Sequence, residues 1–158
     1  MVNYMNQVNL AGIDEIVNNN RVRAAATAGT NAQGTMWMMG TGVPFSSASS
    51  TGITITAAQL GGGIILHNPG TNAVTDTTDT ATNILAYMNA NSAGVNVGDI
   101  LQVESFTNAG TTTGIITVAG GTGVTLDANG TGTVPVGVQK TLNFRCTSTS
   151  TPSFVLYM

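Results

Sequence analysis

A chain of 158 residues with a net charge of −3 has room for one domain of ordinary size. Only 7% of its residues are charged, against roughly 25% in a typical soluble domain, yet 42% are hydrophobic, so it lacks the low-hydrophobicity, high-charge composition of disordered chains. Arg21, Arg23, Lys140 and Arg145 are the only cations, too few for counterion-driven nucleic-acid binding, and the lone Cys146 excludes an intrachain disulfide.

Thr, Asn, Ser and Gly take the place of the missing charge. Such a surface hydrogen-bonds through neutral groups and repels its neighbours little, which predicts a chain that touches other protein chains through weakly salt-dependent contacts. The N-terminus has neither the basic n-region nor the apolar core of a secretory signal. No window approaches the roughly 20 apolar residues of a membrane helix, so the expectation is synthesis in a cytoplasm and no membrane partner.

Residues 1–50 read as an extended N-terminal arm. Val8, Leu10, Ile13, Ile16 and Val17 are scattered among asparagines, with a short helix allowed over Ile13–Val17, and Ala24–Gly34 is small and polar. Fixing a backbone costs about 1–2 kcal/mol per residue, and the arm's own apolar content does not offset that. Neighbouring subunits are the natural source of the missing contacts. Met36, Trp37, Met38 and Met39 are the candidate partner-binding residues, since four large apolar side chains in a row are a liability in water; the other reading of the cluster is a strand of the chain's own core.

Ser46–Gly52 reads as a linker, and the domain proper as residues 51–158. Ile53–Thr56 alternates like a half-buried strand, Gly61-Gly62-Gly63 bends the chain, Ile64–Leu66 reads as a buried strand and Asn68-Pro69-Gly70 as a turn. Thr78 or Asp79 caps a predicted helix with Ala81, Ile84, Leu85 and Met88 at i, i+3, i+4 and i+7, ended by Asn91–Gly94. Strands are then predicted over Ile100–Thr107, Thr113–Ala119, Val124–Asp127, Thr131–Val138, Thr141–Cys146 and Ser153–Met158. Their short, regular spacing is that of a β-sandwich or barrel.

Little of this carries chemistry. His67 is the only histidine and has no second histidine or cysteine pair with which to hold zinc, so a structural or solvent-facing role is expected. Asp76, Asp79, Asp99, Glu104 and Asp127 form a nominal carboxylate set, with Tyr87 and Phe106 as the only plausible sugar platforms nearby. Helix capping for Asp79 and a turn for Asp99 are the simpler roles. The spacing of Asp76 and Asp79 is a weak hint of calcium. The expectation is no catalysis, no cofactor and no metal.

The order of motifs from Ile53 to Met158 resembles a small β-domain that recurs in structural proteins of tailed phages and large algal viruses. The residues that carry it are Thr56-Ala57-Ala58-Gln59-Leu60, Gly62-Gly63-Ile64-Ile65, Asn68-Pro69-Gly70, Asp79-Thr80-Ala81-Thr82, Val97-Gly98-Asp99, Phe106-Thr107-Asn108, Thr117-Val118 and Gly121–Leu126. The resemblance implies a small β-sandwich, often trimeric, placed on a virion as a minor capsid, decoration (cement) or fibre component, and it brings no catalytic residues; with the one predicted helix and the arm, the expected fold is an all-β, jelly-roll-like sandwich. The expected partners are further copies of the chain and the major capsid protein or other virion proteins. A fibre module that recognises host surface glycans is the alternative.

Overall fold

The structure, a computed structural model, describes residues 13–17, 21–24, 36–38, 44–91 and 94–158, the first three stretches as backbone strands. Met39 and the rest of the expected arm up to residue 43 lie outside the described residues. The strands are β1 (Ile13–Val17), β2 (Arg21–Ala24), β3 (Met36–Met38), β4 (Phe45–Ser47), β5 (Thr54–Ile55), β6 (Ile64–His67), β7 (Val74–Thr78), β8 (Ile100–Asn108), β9 (Ile116–Ala119), β10 (Val124–Leu126), β11 (Thr133–Val134), β12 (Gln139–Ser148) and β13 (Ser153–Tyr157). Two short helices, α1 (Ala57–Gly61) and α2 (Ala81–Ala90), interrupt them. The fold is therefore mostly β, in two sheets. No helix of the described residues is long and apolar enough to cross a membrane.

The larger sheet runs β1-β2-β3-β8-β12-β13-β10. Along one edge of the nine-residue β8, β3 pairs with Ile100–Gln102 and β6 pairs with Ser105–Asn108, and β4 lies on the far side of β6. The smaller sheet runs β11-β9-β7-β5. From β4 to β11 the chain alternates between the sheets strand by strand. As a result β4, β6 and β8 are parallel neighbours in one sheet, and β5, β7 and β9 are parallel neighbours in the other. Parallel strands need a long crossover, and here each crossover is a strand of the opposite sheet. This winding departs from the antiparallel order of a jelly roll.

Both helices start where their sequences cap them. In α1, Thr56 Oγ1 accepts from the Gln59 N–H and the Gln59 side chain accepts from the Thr56 N–H, a capping box. Five residues are too few for an independent helix. Buried Leu60 and the close approach of Tyr87 hold this one, and a Cβ on Gly61 would collide with the Tyr87 ring. Gly63, at φ 79°, turns the chain out of α1 in the left-handed region that glycine tolerates. In α2 the cap is Thr80, one residue beyond the expected pair, and Ala81, Ile84, Leu85 and Met88 are buried as their spacing predicts.

One hydrophobic cluster takes alternate residues from both sheets. Leu101, Phe106, Leu142, Phe144, Phe154 and Leu156 come from the larger sheet; Ile55, Ile116, Val118 and Val134 come from the smaller; Leu60, Ile84 and Met88 come from the helices.

Several expectations are corrected. Ile13–Val17 is a strand, since a hairpin partner, Arg21–Ala24, satisfies its backbone across the strand rather than along it. Among the described residues there are two helices rather than one, because the capping box at Thr56 overrides the β-like alternation before it. The strand expected over Ile53–Thr56 shortens to Thr54–Ile55, that over Thr113–Ala119 starts at Ile116, and that over Thr131–Val138 keeps only Thr133–Val134. Ser46 and Ser47, read as linker, belong to β4, where Phe45 packs on the core. Ile64–Leu66 is buried on one side only, for Leu66 is exposed.

Candidate functional site

The alternation of β6 sends His67 inward in phase with Ile65, and the alternation of β7 sends Asp76 inward in phase with Val74. The two side chains meet across the sheets, His67 Nδ1 to Asp76 Oδ2 at 2.7 Å, both fully buried. The other ring nitrogen, Nε2, lies 3.0 Å from the Ser49 carbonyl oxygen. The remaining Asp76 oxygen, Oδ1, accepts from the Ile53 N–H at 3.1 Å. The pair thus fastens both ends of the segment 49–53, which carries the chain from the larger sheet to the smaller.

This arrangement fixes the proton inventory. A carbonyl oxygen only accepts, so Nε2 carries its hydrogen. Nδ1 faces a carboxyl oxygen, so a proton lies between them as well, on one side or the other. His67 consequently has no free lone pair with which to act as a base. Ser49, His67 and Asp76 are the residue types of a hydrolase triad, but Ser49 presents its carbonyl to the ring while its hydroxyl contacts Thr51 Oγ1 at 3.1 Å. A triad needs the serine oxygen on the histidine nitrogen. The geometry is that of a structural clasp.

A second clasp stands beside the first. Asn108 is the register partner of His67 on β8 and is also fully buried. Its Nδ2 donates to the Val134 carbonyl on β11 at 2.8 Å and to the Gly114 carbonyl at 2.9 Å, while Oδ1 accepts from the Gly110 N–H at 2.9 Å. Three of its four side-chain hydrogen-bonding positions are filled, two by one NH₂ group reaching both across the sheets and into the 109–114 loop. Together, His67 and Asn108 form a polar row through which the larger sheet holds β7 and β11 of the smaller.

The other carboxylates are dispersed and individually employed. Asp79 precedes the α2 cap and serves both helix starts. Its Oδ1 accepts from the Thr80 N–H at 2.8 Å and from Asn83 Nδ2 at 2.7 Å, and its Oδ2 accepts from the Ala57 N–H of α1 at 2.9 Å. Burial would raise its pKa, but these three hydrogen bonds outweigh burial and hold the carboxyl below the usual aspartate range. Asp99 accepts from the Asn96 N–H within a turn, Asp127 accepts from the Asn129 N–H, and Glu104 is exposed on β8. A calcium ion between Asp76 and Asp79 would have to displace donors from all four of their carboxyl oxygens. Among the described residues no three His, Cys, Asp or Glu side chains are grouped to hold a metal.

Of the two aromatics beside the carboxylate set, Phe106 is fully buried in the core and Tyr87 lies half-buried over Gly61. Neither is a sugar platform. Cys146 is buried, and burial together with the negative charge of Asp99 pushes its thiol above the usual range. Met36–Met38 run as β3, hydrogen-bonded to β8 on one side and paired with β2 through Arg21–Trp37 on the other.

The sequence reading missed Asn108 and the pairing of His67 with Asp76. The available signal was period two: counting inward from Ile65 and Val74 places His67 and Asp76 on buried faces, where polar groups need partners. Comparison with family models, with curated proteins and with solved structures finds no match to the chain.

Proposed function

We propose that the chain is a structural virion protein, a minor capsid or decoration (cement) component whose two sheets form a sandwich and which assembles with copies of itself, most naturally as a trimer, on a particle. The observation that carries this reading is where the polar chemistry goes. His67, Asp76, Asp79 and Asn108 are each bonded to groups that hold sheets, loops and helices together. The exposed strand positions carry mainly threonine, serine and other small neutral residues. A rigid body with a neutral surface suits permanent contact with other subunits, where each buried charge would need a partner. The motif order from Ile53 to Met158 supports the same reading.

The described stretches of residues 1–43 run as β1–β3 at one end of the chain's own larger sheet rather than as a free arm, and that end, with Met36–Met39, is the proposed point of attachment to neighbouring subunits. Because Phe45 packs on the core and the Ser49 carbonyl is bonded to His67, a truncation that tests the arm should stop at Val43. The first test is the mass of the full-length chain by light scattering at low and high salt. A trimer or larger assembly that ignores salt is expected. A monodisperse monomer at high protein concentration would overturn the reading.

One observation favours the glycan-recognition alternative: an open depression of about 480 Å³, lined among others by Ser50, Asn68, Thr71, Asn72 and Thr111. These side chains offer neutral hydrogen bonds of the kind a sugar uses. Binding on a glycan array that Asn72→Ala abolishes would establish it, and an array without hits would remove it.

A further inference from the structure

The clasp of Ser49, His67 and Asp76 holds one proton more than its parts hold in neutral water. His67 Nε2 donates to the Ser49 carbonyl at 3.0 Å, and a second proton lies between Nδ1 and Asp76 Oδ2 at 2.7 Å. In the unfolded chain near pH 7.5 the same imidazole and carboxylate hold a single proton between them, because a free imidazole gives up its second proton near pH 6.5. The groups set against the pair are uncharged. Ser47 and Asn108 flank His67 on β4 and β8, Val118 lies beside Asp76 on β9, and the segment 49–53 contains no titratable side chain. Asp79, the next carboxylate along the chain, is turned to the two helix starts.

We infer that this clasp is a proton-operated latch on the segment 49–53: with the extra proton in place the segment is fastened at both ends, and loss of that proton in mild alkali frees the Ser49 end. Losing it leaves one ring N–H to serve two acceptors. Hydrogen bonds to an ionised acceptor are roughly twice as strong as neutral ones, so the carboxylate keeps the hydrogen at Nδ1. Nε2 then turns a lone pair toward the Ser49 carbonyl oxygen, and two acceptors do not stay 3.0 Å apart. The Ile53 N–H keeps its bond to Asp76 Oδ1. The latch therefore opens at the start of the crossover from β4 to β5 and stays closed at its end. The inference goes beyond the structural reading and does not depend on it.

The test compares the full-length chain with Asp76→Asn. The asparagine NH₂ donates to Nδ1 while its oxygen accepts from the Ile53 N–H, so a neutral ring still reaches Ser49 and no extra proton is needed. The folded wild-type chain binds more protons than the unfolded one wherever a free imidazole is neutral, so its stability falls as the pH rises. From about pH 6.5 to 8 its unfolding equilibrium constant, measured in denaturant, should climb by up to tenfold per pH unit, and that of Asp76→Asn should stay level. Cys146, whose thiol is held above the usual range, bends both profiles alike in stronger alkali. Amide exchange at Ser50 and Thr51, compared at pH 8, should be faster in the wild type. Should Asp76→Asn fail to fold, proton release decides. His67 is the only histidine, and unfolding the wild-type chain at pH 7.5 in weak buffer with a pH indicator should liberate about one proton per chain. Parallel pH profiles in the two chains, or unfolding that liberates no proton, overturns the latch.

Discussion

The two sheets are alike on the inside and different on the outside. Inward, each contributes aliphatic residues to one core, interrupted by a few polar groups that find partners across the gap. Outward, the larger sheet carries Glu104 and Arg145, while the smaller carries ranks of threonine. Burial dictates the inner faces, because an apolar layer between two sheets is what drives the fold, at roughly 25 cal/mol per Å² of apolar surface removed from water. The outer faces are free of that demand, and there the two sheets differ.

The comparison breaks most sharply at the buried pair. Asp76→Ala leaves the His67 ring facing the Ser49 carbonyl with no carboxylate, and His67→Ala leaves a buried carboxylate with only the Ile53 N–H. Each should cost about 3–5 kcal/mol in denaturant unfolding. The double replacement His67→Leu with Asp76→Leu should lose less than either single change, since it removes both buried polar partners at once. Single variants within about 1 kcal/mol of wild type would show that the two sheets do not depend on this tie.

A smaller effect is expected at Asn108→Ala, which strips partners from the Val134 and Gly114 carbonyls and from the Gly110 N–H together. The loss should be about 2–3 kcal/mol, the scale of buried polar groups left without partners. Amide exchange should rise first in the 109–114 loop and in β11. Equal loosening of all strands would mean that Asn108 supports the core generally rather than clasping one end of it.

The smallest effect belongs to Asp79, on the exposed side of the helix starts. Its carboxyl is held below the usual aspartate range in the folded chain, so the unfolded chain takes up a proton first as the pH falls. The stability it contributes is therefore present above the ordinary aspartate pKa and is lost as the pH drops through the lower folded value. Asp79→Asn should cost about 0.5–1 kcal/mol near neutral pH, comparable to an exposed cap. The Tm gap between this variant and wild type should close in acid; a gap independent of pH would assign the effect to shape rather than charge.

Most of the signals that are local in origin are legible in the sequence. The i, i+3, i+4, i+7 pattern of Ala81, Ile84, Leu85 and Met88 located α2, and alternation located β8, β12 and β13. The Thr-Ala-Ala-Gln run at Thr56 is a capping box, but the strand-like alternation of Ile53–Thr56 masks it in the sequence. The candidate site was less legible. His67 and Asp76 lie nine residues apart with a turn between them, and no spacing rule says that their strands enter different sheets and face each other.

The sequence by itself determined the β character, the main helix and a surface poor in charge, because propensity and period two act within a few residues. Only the tertiary structure decided that successive strands alternate between sheets, so that β4, β6 and β8 and then β5, β7 and β9 become parallel neighbours. Pairing between strands that are distant in sequence is chosen by the total burial of the finished core. That choice brought His67 onto Asp76, set Asn108 against β11 and aligned the threonines of three strands in one rank.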